Sequence, residues 1–379
     1  MTREDRVNLI KKIEEMRNSR VITYVTSDRG APYNAVIADD VLPIFKQILS
    51  SIGQTEEIDL FLYSRGGNVE VPWKIVSLIR EYCKKFVVLV PFRAHSAATM
   101  IALGADEIIC GPAAEFGPID PSLTTPFNPR DPKGNPLPIN IEAVRAYLNA
   151  NKIGLESLDR QQIFNKLSEA ANPLALGEIF RQHNYIRSIA KKLLKLQQSP
   201  PSEKVCDDIV KELVEESYFH RHAITRKEAA RMGLKIVNAN DNLERTMWDL
   251  YLEYAKIMKL NEPLNPLGML KSKNYEDVTD ECIIAFIESS DESFGFITRI
   301  LLTAKRRPIP SLSMNLNFQL PPNLLTLIQQ NQQISQVVQQ LLQRLLPQIQ
   351  QQVLQELNRL MPIEDVEIKV LERGWKKFE

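Results

Sequence analysis

The chain has 379 residues, 44% of them hydrophobic and 25% charged, and its 47 basic side chains balance 47 acidic ones. That length allows two or three domains with at least one large core. The formal net charge of zero excludes a global electrostatic pull toward nucleic acid or an anionic membrane surface.

Cys83, Cys110, Cys206 and Cys282 are far apart and form no CxxC pair. They read as reduced core thiols of a cytoplasmic protein, with no zinc site and no other metal or cofactor implied. Residues 1–6 are charged and no apolar run follows them, so no signal peptide is expected. No window approaches the roughly 20 apolar residues that a spanning helix needs, so no integral membrane segment is expected.

Val7, Ile10, Ile13 and Met16 recur at helical spacing among lysines and glutamates, which predicts an amphipathic helix. Residues 21–25 form an apolar, β-branched run and read as a strand, and residues 27–30 are turn chemistry. Asp39 or Asp40 is placed to cap a helix carrying Val41, Ile44, Phe45 and Ile48. Residues 58–63 are the next strand, ending in Ser64-Arg65-Gly66-Gly67-Asn68. Glycines at a strand's carboxyl end let backbone amides approach a ligand, because no side chain intervenes.

A helix follows with Val71, Ile75, Leu78, Ile79 and Tyr82 on one face. Residues 86–90 are a buried strand, residues 97–103 a helix of small residues, and residues 107–110 a short strand. Strand–helix–strand units this compact argue for a parallel sheet, with ligands beyond the carboxyl ends of its strands. Both Gly66-Gly67 and Ser96 fall at such ends.

Residues 111–121 are fixed by glycines and prolines, and residues 126–139 read as a surface loop. From residue 141 to about 196 the pattern is helical, with basic residues on an outer face from 179 onward. Residues 206–216 form another helix. Thr225 with Glu228 is a capping box for the helix before Gly233. Residues 243–260 are helical, and residues 261–266 form a linker. Residues 283–287 and 295–302 read as two strands of a small separate unit. The glutamine-rich tail repeats Leu327, Ile334 and Leu341 every seven residues, and likewise Asn331, Val338 and Leu345, which predicts a coiled-coil seam kinked at Pro347.

Acyl transfer by serine needs a nucleophile, a base, a group that orients the base, and amide donors for the oxyanion. Ser96 is either such a nucleophile or a plain N-cap of its helix. His95 adjoins Ser96 and is a poor base, because neighbouring side chains at a helix start diverge. His183 sits on a helix amid polar residues and reads as a solvated face. His220 and His222 alternate in a loop, so an extended segment points them to opposite sides. Asp120 stands in a proline-fixed loop as the candidate orienting acid, with Asp106 as its rival at a strand start.

The glycine turn, the apolar strand, Ser96-Ala97-Ala98-Thr99-Met100-Ile101-Ala102-Leu103-Gly104-Ala105-Asp106-Glu107-Ile108, and Gly117-Pro118-Ile119-Asp120-Pro121 together resemble the ClpP/crotonase superfamily. Within it, the chain is most similar to the serine dehydrogenase proteinase family of Clp-fold serine proteinases, over roughly residues 20–240. The segment Ile224-Thr225-Arg226-Lys227-Glu228 is part of that resemblance. Two departures stand out: Arg65 occupies the place where the family usually has proline, and the extension past residue 250 has no counterpart.

The resemblance implies an α/β fold, with a ClpP/crotonase-like core of repeated β-α-β units and a helical insertion at about 141–216. It implies a serine endopeptidase working through an acyl-enzyme, with the triad in the chain order Ser, Asp, His. Ser96 is then the nucleophile, Asp120 orients the base, and His220 is the general base with His222 as the fallback. Gly66, Gly67 and Ala97 form the oxyanion hole. The domain plan is a proteinase domain over 1–250, a small α+β extension over 251–310 and a glutamine-rich helical oligomerisation tail over 311–379. The expected partners are a peptide or unfolded protein substrate and further copies of the chain. Two alternatives stay open: a crotonase-like acyl-CoA enzyme using the same oxyanion hole, and a non-catalytic assembly module.

Overall fold

The computed structural model describes residues 3–119, 122–123, 127–132, 134–137, 139–141, 144, 160–215, 223–273, 277–307 and 321–378. The chain forms two compact units. The first comprises residues 1–263, 282–298 and 373–379, and the second comprises residues 264–281 and 299–372.

The chain starts with α1 (Arg3–Arg17), β1 (Arg20–Thr26), a 3-10 turn (Asp39–Val41), α2 (Leu42–Ile52) and β2 (Thr55–Tyr63). It continues through α3 (Val71–Arg80), β3 (Cys83–Val90), β4 (Arg93–Ala94), α4 (Ala97–Leu103), β5 (Glu107–Cys110) and β6 (Glu115–Phe116). Next come β7 (Ser122–Leu123), β8 (Ile139–Asn140), α5 (Arg160–Ala170), α6 (Pro173–Lys195) and α7 (Glu203–Val214). The first long stretch of the chain closes with β9 (Ile224–Thr225), α8 (Arg226–Met232), β10 (Ile236–Asn238) and α9 (Asp241–Ile257). Then follow α10 (Pro266–Lys271), β11 (Val278–Glu288), β12 (Ser293–Arg306), α11 (Pro322–Gln330), α12 (Gln332–Leu360) and β13 (Ile363–Phe378).

The fold is α/β. Its main sheet has the order β10-β5-β3-β2-β1-β11-β12-β13. The five strands from β10 to β1 are parallel, and one row of partners, Ile236–Ile108–Val88–Leu60–Ile22, crosses all of them. Successive side chains of a strand point to opposite faces. Ile22, Tyr24, Leu60, Leu62, Phe86 and Val88 therefore enter one core with Phe45 of α2, Ile75 of α3, Met100 of α4, Ile186 of α6 and Ile209 of α7. Val21, Val25, Phe61, Tyr63, Val87 and Leu89 enter a second core with Ile10 and Ile13 of α1 and with Leu250 and Tyr254 of α9. Helices thus cover both faces, which is why the strands read as unbroken apolar runs.

One polar group is buried in the second core's neighbourhood. Glu288 accepts two hydrogen bonds from Arg6 at 2.8 Å each, one from Tyr254 at 2.6 Å and one from Ser293 at 2.5 Å. The pair is almost fully enclosed, with side-chain exposures of 6% for Arg6 and 2% for Glu288.

Several expectations are corrected. Asp39 and Asp40 cap nothing, since they lie inside the 3-10 turn and the helix after it has no side-chain cap. Asp39 instead pairs with Lys74, and Asp40 accepts from the Trp375 indole. His183 is not solvated: it shares the i, i+3, i+4 stripe of Leu176, Ile179, Ile186 and Ala190 on α6 and is buried. The strands expected near 283–287 and 295–302 form, and β11 pairs antiparallel with β1 of the main sheet, Tyr24 opposite Ile287. Residues 282–298 accordingly fall within the first compact unit. Thr225 caps α8 as expected, accepting from the Glu228 amide, and Gly233 ends that helix at φ 103°.

In the second unit, Asn331 interrupts the glutamine-rich stretch. It sits at φ −135°, ψ 111° and caps α12 by accepting from the amides of Gln333 and Ile334. The heptad through Leu327, Ile334 and Leu341 crosses that break, so it does not lie on one helix. Pro347 is inside α12, and Leu341 and Leu345 on the same helix are exposed. Among the described residues, no helix is long and apolar enough to cross a membrane, and no group of three or more His, Cys, Asp or Glu is placed to hold a metal.

Candidate active site

The carboxyl ends of β2 and β3 meet at one place. After β2, Ser64 bridges to Ala94 of β4, with Ser64 N donating to Arg93 O at 3.0 Å and His95 N donating to Ser64 O at 2.9 Å. The chain then passes through Gly66 at φ 103°. A Cβ on Gly66 would lie 2.8 Å from Ser96 Cβ and 3.0 Å from Ala97 N, so only glycine permits this approach. Behind it, Ile37 braces the turn from both sides: Ile37 N donates to Gly66 O at 2.9 Å, and Asn68 N donates to Ile37 O at 2.8 Å.

Ser96 occupies the N-cap position of α4, yet its side chain makes no capping hydrogen bond. It stands at φ 52°, ψ −114°, a conformation that costs an L-residue about 1–3 kcal/mol. A serine serving only as a cap adopts an extended backbone and gives its oxygen to the helix amides. Here the backbone is strained and the half-buried hydroxyl is left uncommitted.

The amides around Ser96 divide into two groups. Gly66 N donates to Ser64 Oγ at 3.0 Å, and Thr26 Oγ1 donates to the same oxygen at 2.7 Å. The Gly67 and Ala97 amides make no hydrogen bond among the described residues. Gly67 N is turned away from Ile37 by the pairing of Gly66 and Asn68 with that residue. Ala97 N is the first amide of α4, where the helix dipole is positive. Among the described residues, the Gly67 and Ala97 amides and the Ser96 hydroxyl are thus all uncommitted.

A small second sheet, β4-β6-β9, organises the segments around this point. Ala94 pairs with Phe116, and Phe116 pairs with Ile224. Two strand spacings, about 10 Å, separate the residues that lead to Ser96 from those that follow His222. Thr99 Oγ1 lies 2.7 Å from Ala94 O and 2.8 Å from Gly117 O and shares its single hydrogen between them, tying the loop before Asp120 to the first turn of α4. Ile119 N, next in chain to Asp120, donates to Leu213 O at the end of α7 at 2.9 Å. Asp120, His220 and His222 themselves lie outside the described residues.

The rival acid Asp106 is placed elsewhere. Its carboxylate takes Phe86 N at 2.9 Å, Gln198 N at 2.6 Å and Arg80 Nη2 at 3.1 Å. That is the amino end of β5, beside the middle of β3 and four residues, roughly 13 Å, short of the carboxyl end of β3 that leads to Ser96. A cavity of about 360 Å³ lined by Lys85, Asp106, Glu107 and Lys235 lies there, at the amino ends of β5 and β10.

Charged side chains rim the site. Arg65 Nε donates to Asp28 Oδ2 at 2.9 Å, and Arg93 Nη1 shares that oxygen at 3.0 Å. Arg93 Nε reaches Glu115 Oε1 at 2.9 Å, and His95 Nε2 approaches the same oxygen at 3.2 Å without the alignment of a hydrogen bond. Burial pushes the His95 imidazole below its ordinary pKa of 6.5, against the pull of Glu115 and with the help of Arg65 and Arg93. Its side chain is wedged against Gly117, where a Cβ would come within 2.8 Å of His95 Cβ. Sequence reasoning set His95 aside, noted Arg65 only as a departure from the family's proline, and gave no role to Thr99 or Ser64. Their long-range partners, Glu115, Asp28, Gly117 and Thr26, are 18 to 38 positions distant in the chain, so no local pattern announces them.

Comparison with known proteins agrees with the resemblance in the sequence. The uncharacterised protein MJ0137 of Methanocaldococcus jannaschii is 26% identical over 253 residues, 65% of this chain and 78% of that protein. A second uncharacterised protein of the same organism, MJ1495, is 25% identical over 264 residues, 67% of this chain and 77% of that protein. Among solved structures, the membrane-bound stomatin-specific protease 1510-N, a mutant bound to a substrate peptide, is 20% identical, with a TM-score of 0.35 over 55% of this chain and 74% of that chain. ClpP1 from Listeria monocytogenes is 15% identical, with a TM-score of 0.33 over 61% of this chain and 98% of that chain. Structural likenesses this low carry no weight about activity. Residues 1–129, the stretch that holds Gly66, Gly67 and Ser96, match the ClpP-like SDH-type serine proteinase family.

Proposed function

We propose that the chain is a serine peptidase that cleaves peptide bonds through an acyl-enzyme on Ser96. The observation that carries this reading is the backbone of Ser96 at φ 52° with a hydroxyl that caps nothing, set against Gly66. Strain of that kind persists only where surrounding structure imposes it, and it is typical of residues presented to a ligand. The Ser96 hydroxyl attacks the scissile carbonyl. The amides of Gly67 and Ala97 take the negative charge that develops on the carbonyl oxygen. Gly66 serves by its missing side chain, since its own amide is engaged by Ser64.

In this reading His220 accepts the serine proton and returns it to the leaving amine, with His222 as the fallback, and Asp120 orients the base. What supports these roles is that β9 and α7 flank the histidines in the chain and are both tied to the segment before Asp120. The substrate is an extended or unfolded polypeptide, and the working form is a cytoplasmic homo-oligomer.

Labelling with a serine-reactive fluorophosphonate tests the chemistry. The native chain is expected to label, Ser96→Ala to be silent, and His220→Ala to label at least a hundredfold more slowly, the order of magnitude of a lost general base. If only His222→Ala slows labelling, the base is His222. Equal labelling of all four proteins would sink the proposal.

A further inference from the structure

Arg65 closes a ring of contacts around the nucleophile. Its Nε is bonded to Asp28, Asp28 to Arg93, Arg93 to Glu115, and Glu115 approaches His95. His95 precedes Ser96 in the chain, Ser96 abuts Gly66, and Gly66 follows Arg65. The guanidinium is therefore held beside the glycine turn, on the side where His95 lies. It is near enough for its charge to depress the His95 imidazole.

The way Arg65 is held leaves most of it unused. Asp28 is a buried carboxylate, 8% exposed, and it grips Arg65 by Nε alone while sharing the same oxygen with Arg93. The Arg65 side chain is 52% exposed, and its Nη1 and Nη2 make no hydrogen bond among the described residues. Those two nitrogens form the fork that binds a carboxylate bidentately. An ordinary surface ion pair needs no second cation on the same anion. Here one oxygen of Asp28 is shared between two guanidiniums, so it fixes the position of Arg65 through Nε and leaves the fork of Nη1 and Nη2 uncommitted.

We propose that Arg65 is a specificity-determining residue that binds a carboxylate of the polypeptide lying across Ser96, either an acidic side chain or the free C-terminus. The proposal rests on the peptidase reading for the substrate class. Its test does not depend on turnover.

Binding is measured by fluorescence anisotropy to the full chain carrying Ser96→Ala, with three labelled peptides of otherwise identical sequence. One has an internal glutamate and an amidated C-terminus, one has glutamine and a free C-terminus, and one has glutamine and an amidated C-terminus. One of the two carboxylate peptides is expected to bind about tenfold more tightly than the neutral one, the order of one charge-assisted contact. Whichever binds more tightly identifies the source of the carboxylate.

Adding Arg65→Gln is expected to bring the ratio to within about twofold, while Arg65→Lys retains part of it. Equal binding of all three peptides to the parent would overturn the proposal, and so would a preference that survives Arg65→Gln. Loss of fluorophosphonate labelling with the charge preference intact would sink the peptidase chemistry and leave the carboxylate subsite standing.

Discussion

Gly66→Ala is the sharpest perturbation of the site that leaves charge and polarity untouched. The added methyl would lie 2.8 Å from His95 O, 2.8 Å from Ser96 Cβ and 3.0 Å from Ala97 N, and the residue would sit at φ 103°. The left-handed backbone costs an alanine about 1–2 kcal/mol. Overlap with atoms that cannot rotate away adds about 1–3 kcal/mol. The neighbours are two backbone atoms and a Cβ, so the strain must displace either the turn or Ser96 itself. A loss of about 2–5 kcal/mol in urea unfolding is expected, from the sum of those two costs. Fluorophosphonate labelling should fall even in the fraction that stays folded. Gly30→Ala is the control, because no atom lies within 4 Å of the new methyl and φ is ordinary there. Its expected effect lies between neutral and about 1 kcal/mol of stabilisation. If Gly66→Ala unfolds within about 0.5 kcal/mol of the native chain and labels at the native rate, the close packing of the glycine on Ser96 is wrong.

Three further outcomes are expected. Arg6→Met leaves the Glu288 carboxylate buried with only Tyr254 and Ser293, and should cost about 3–5 kcal/mol; adding Glu288→Gln should recover a measurable part in the same unfolding assay. Thr99→Val removes the donor to Ala94 O and Gly117 O and should cost about 1–3 kcal/mol. Thr99→Ser should restore both stability and labelling, whereas a Val variant as stable as native would show that the Thr99 hydroxyl contributes nothing to holding these two segments together. Burial pushes the Asp59 carboxyl up to about 6 from an ordinary 3.8, against the pull of Arg17. Because the folded value is the higher one, this group's contribution is fully present below pH 4 and is lost as pH rises through about 6. The stability of the native chain relative to Asp59→Asn should therefore fall between pH 4 and 7, and a difference that grows over that range would contradict the assignment.

Much of the parallel core was readable because its signals are local. The apolar runs of β2 and β3 and the small-residue helix α4 follow from neighbouring residues alone, and α4 spans residues 97–103 as its sequence predicts. Elements stabilised by distant partners were not readable. The two-residue strands β4, β6 and β9 have no periodicity to detect. β13 alternates charged and apolar residues, contains Gly374 and is largely exposed, so nothing in it announces a pairing with β12. His183 has polar neighbours in sequence yet falls on the buried face of its helix. At the site, residue types and the strand ends located Ser96 and the glycine turn. The strain at Ser96, the capture of the Gly66 amide by Ser64 and the sharing of Asp28 between two arginines are three-dimensional facts that no spacing rule encodes.

The β4-β6-β9 ladder has a consequence for how the protein breathes. Each strand contributes two residues, so the ladder rests on few hydrogen bonds, while the main sheet behind it is braced by two cores. Local openings of such weakly braced segments cost less than global unfolding. The amides of residues 93–95, 115–117 and 224–225 should exchange their hydrogens with solvent together, and well before those of β2 and β3. A polypeptide that bridged these segments on binding would slow that exchange as one cooperative group.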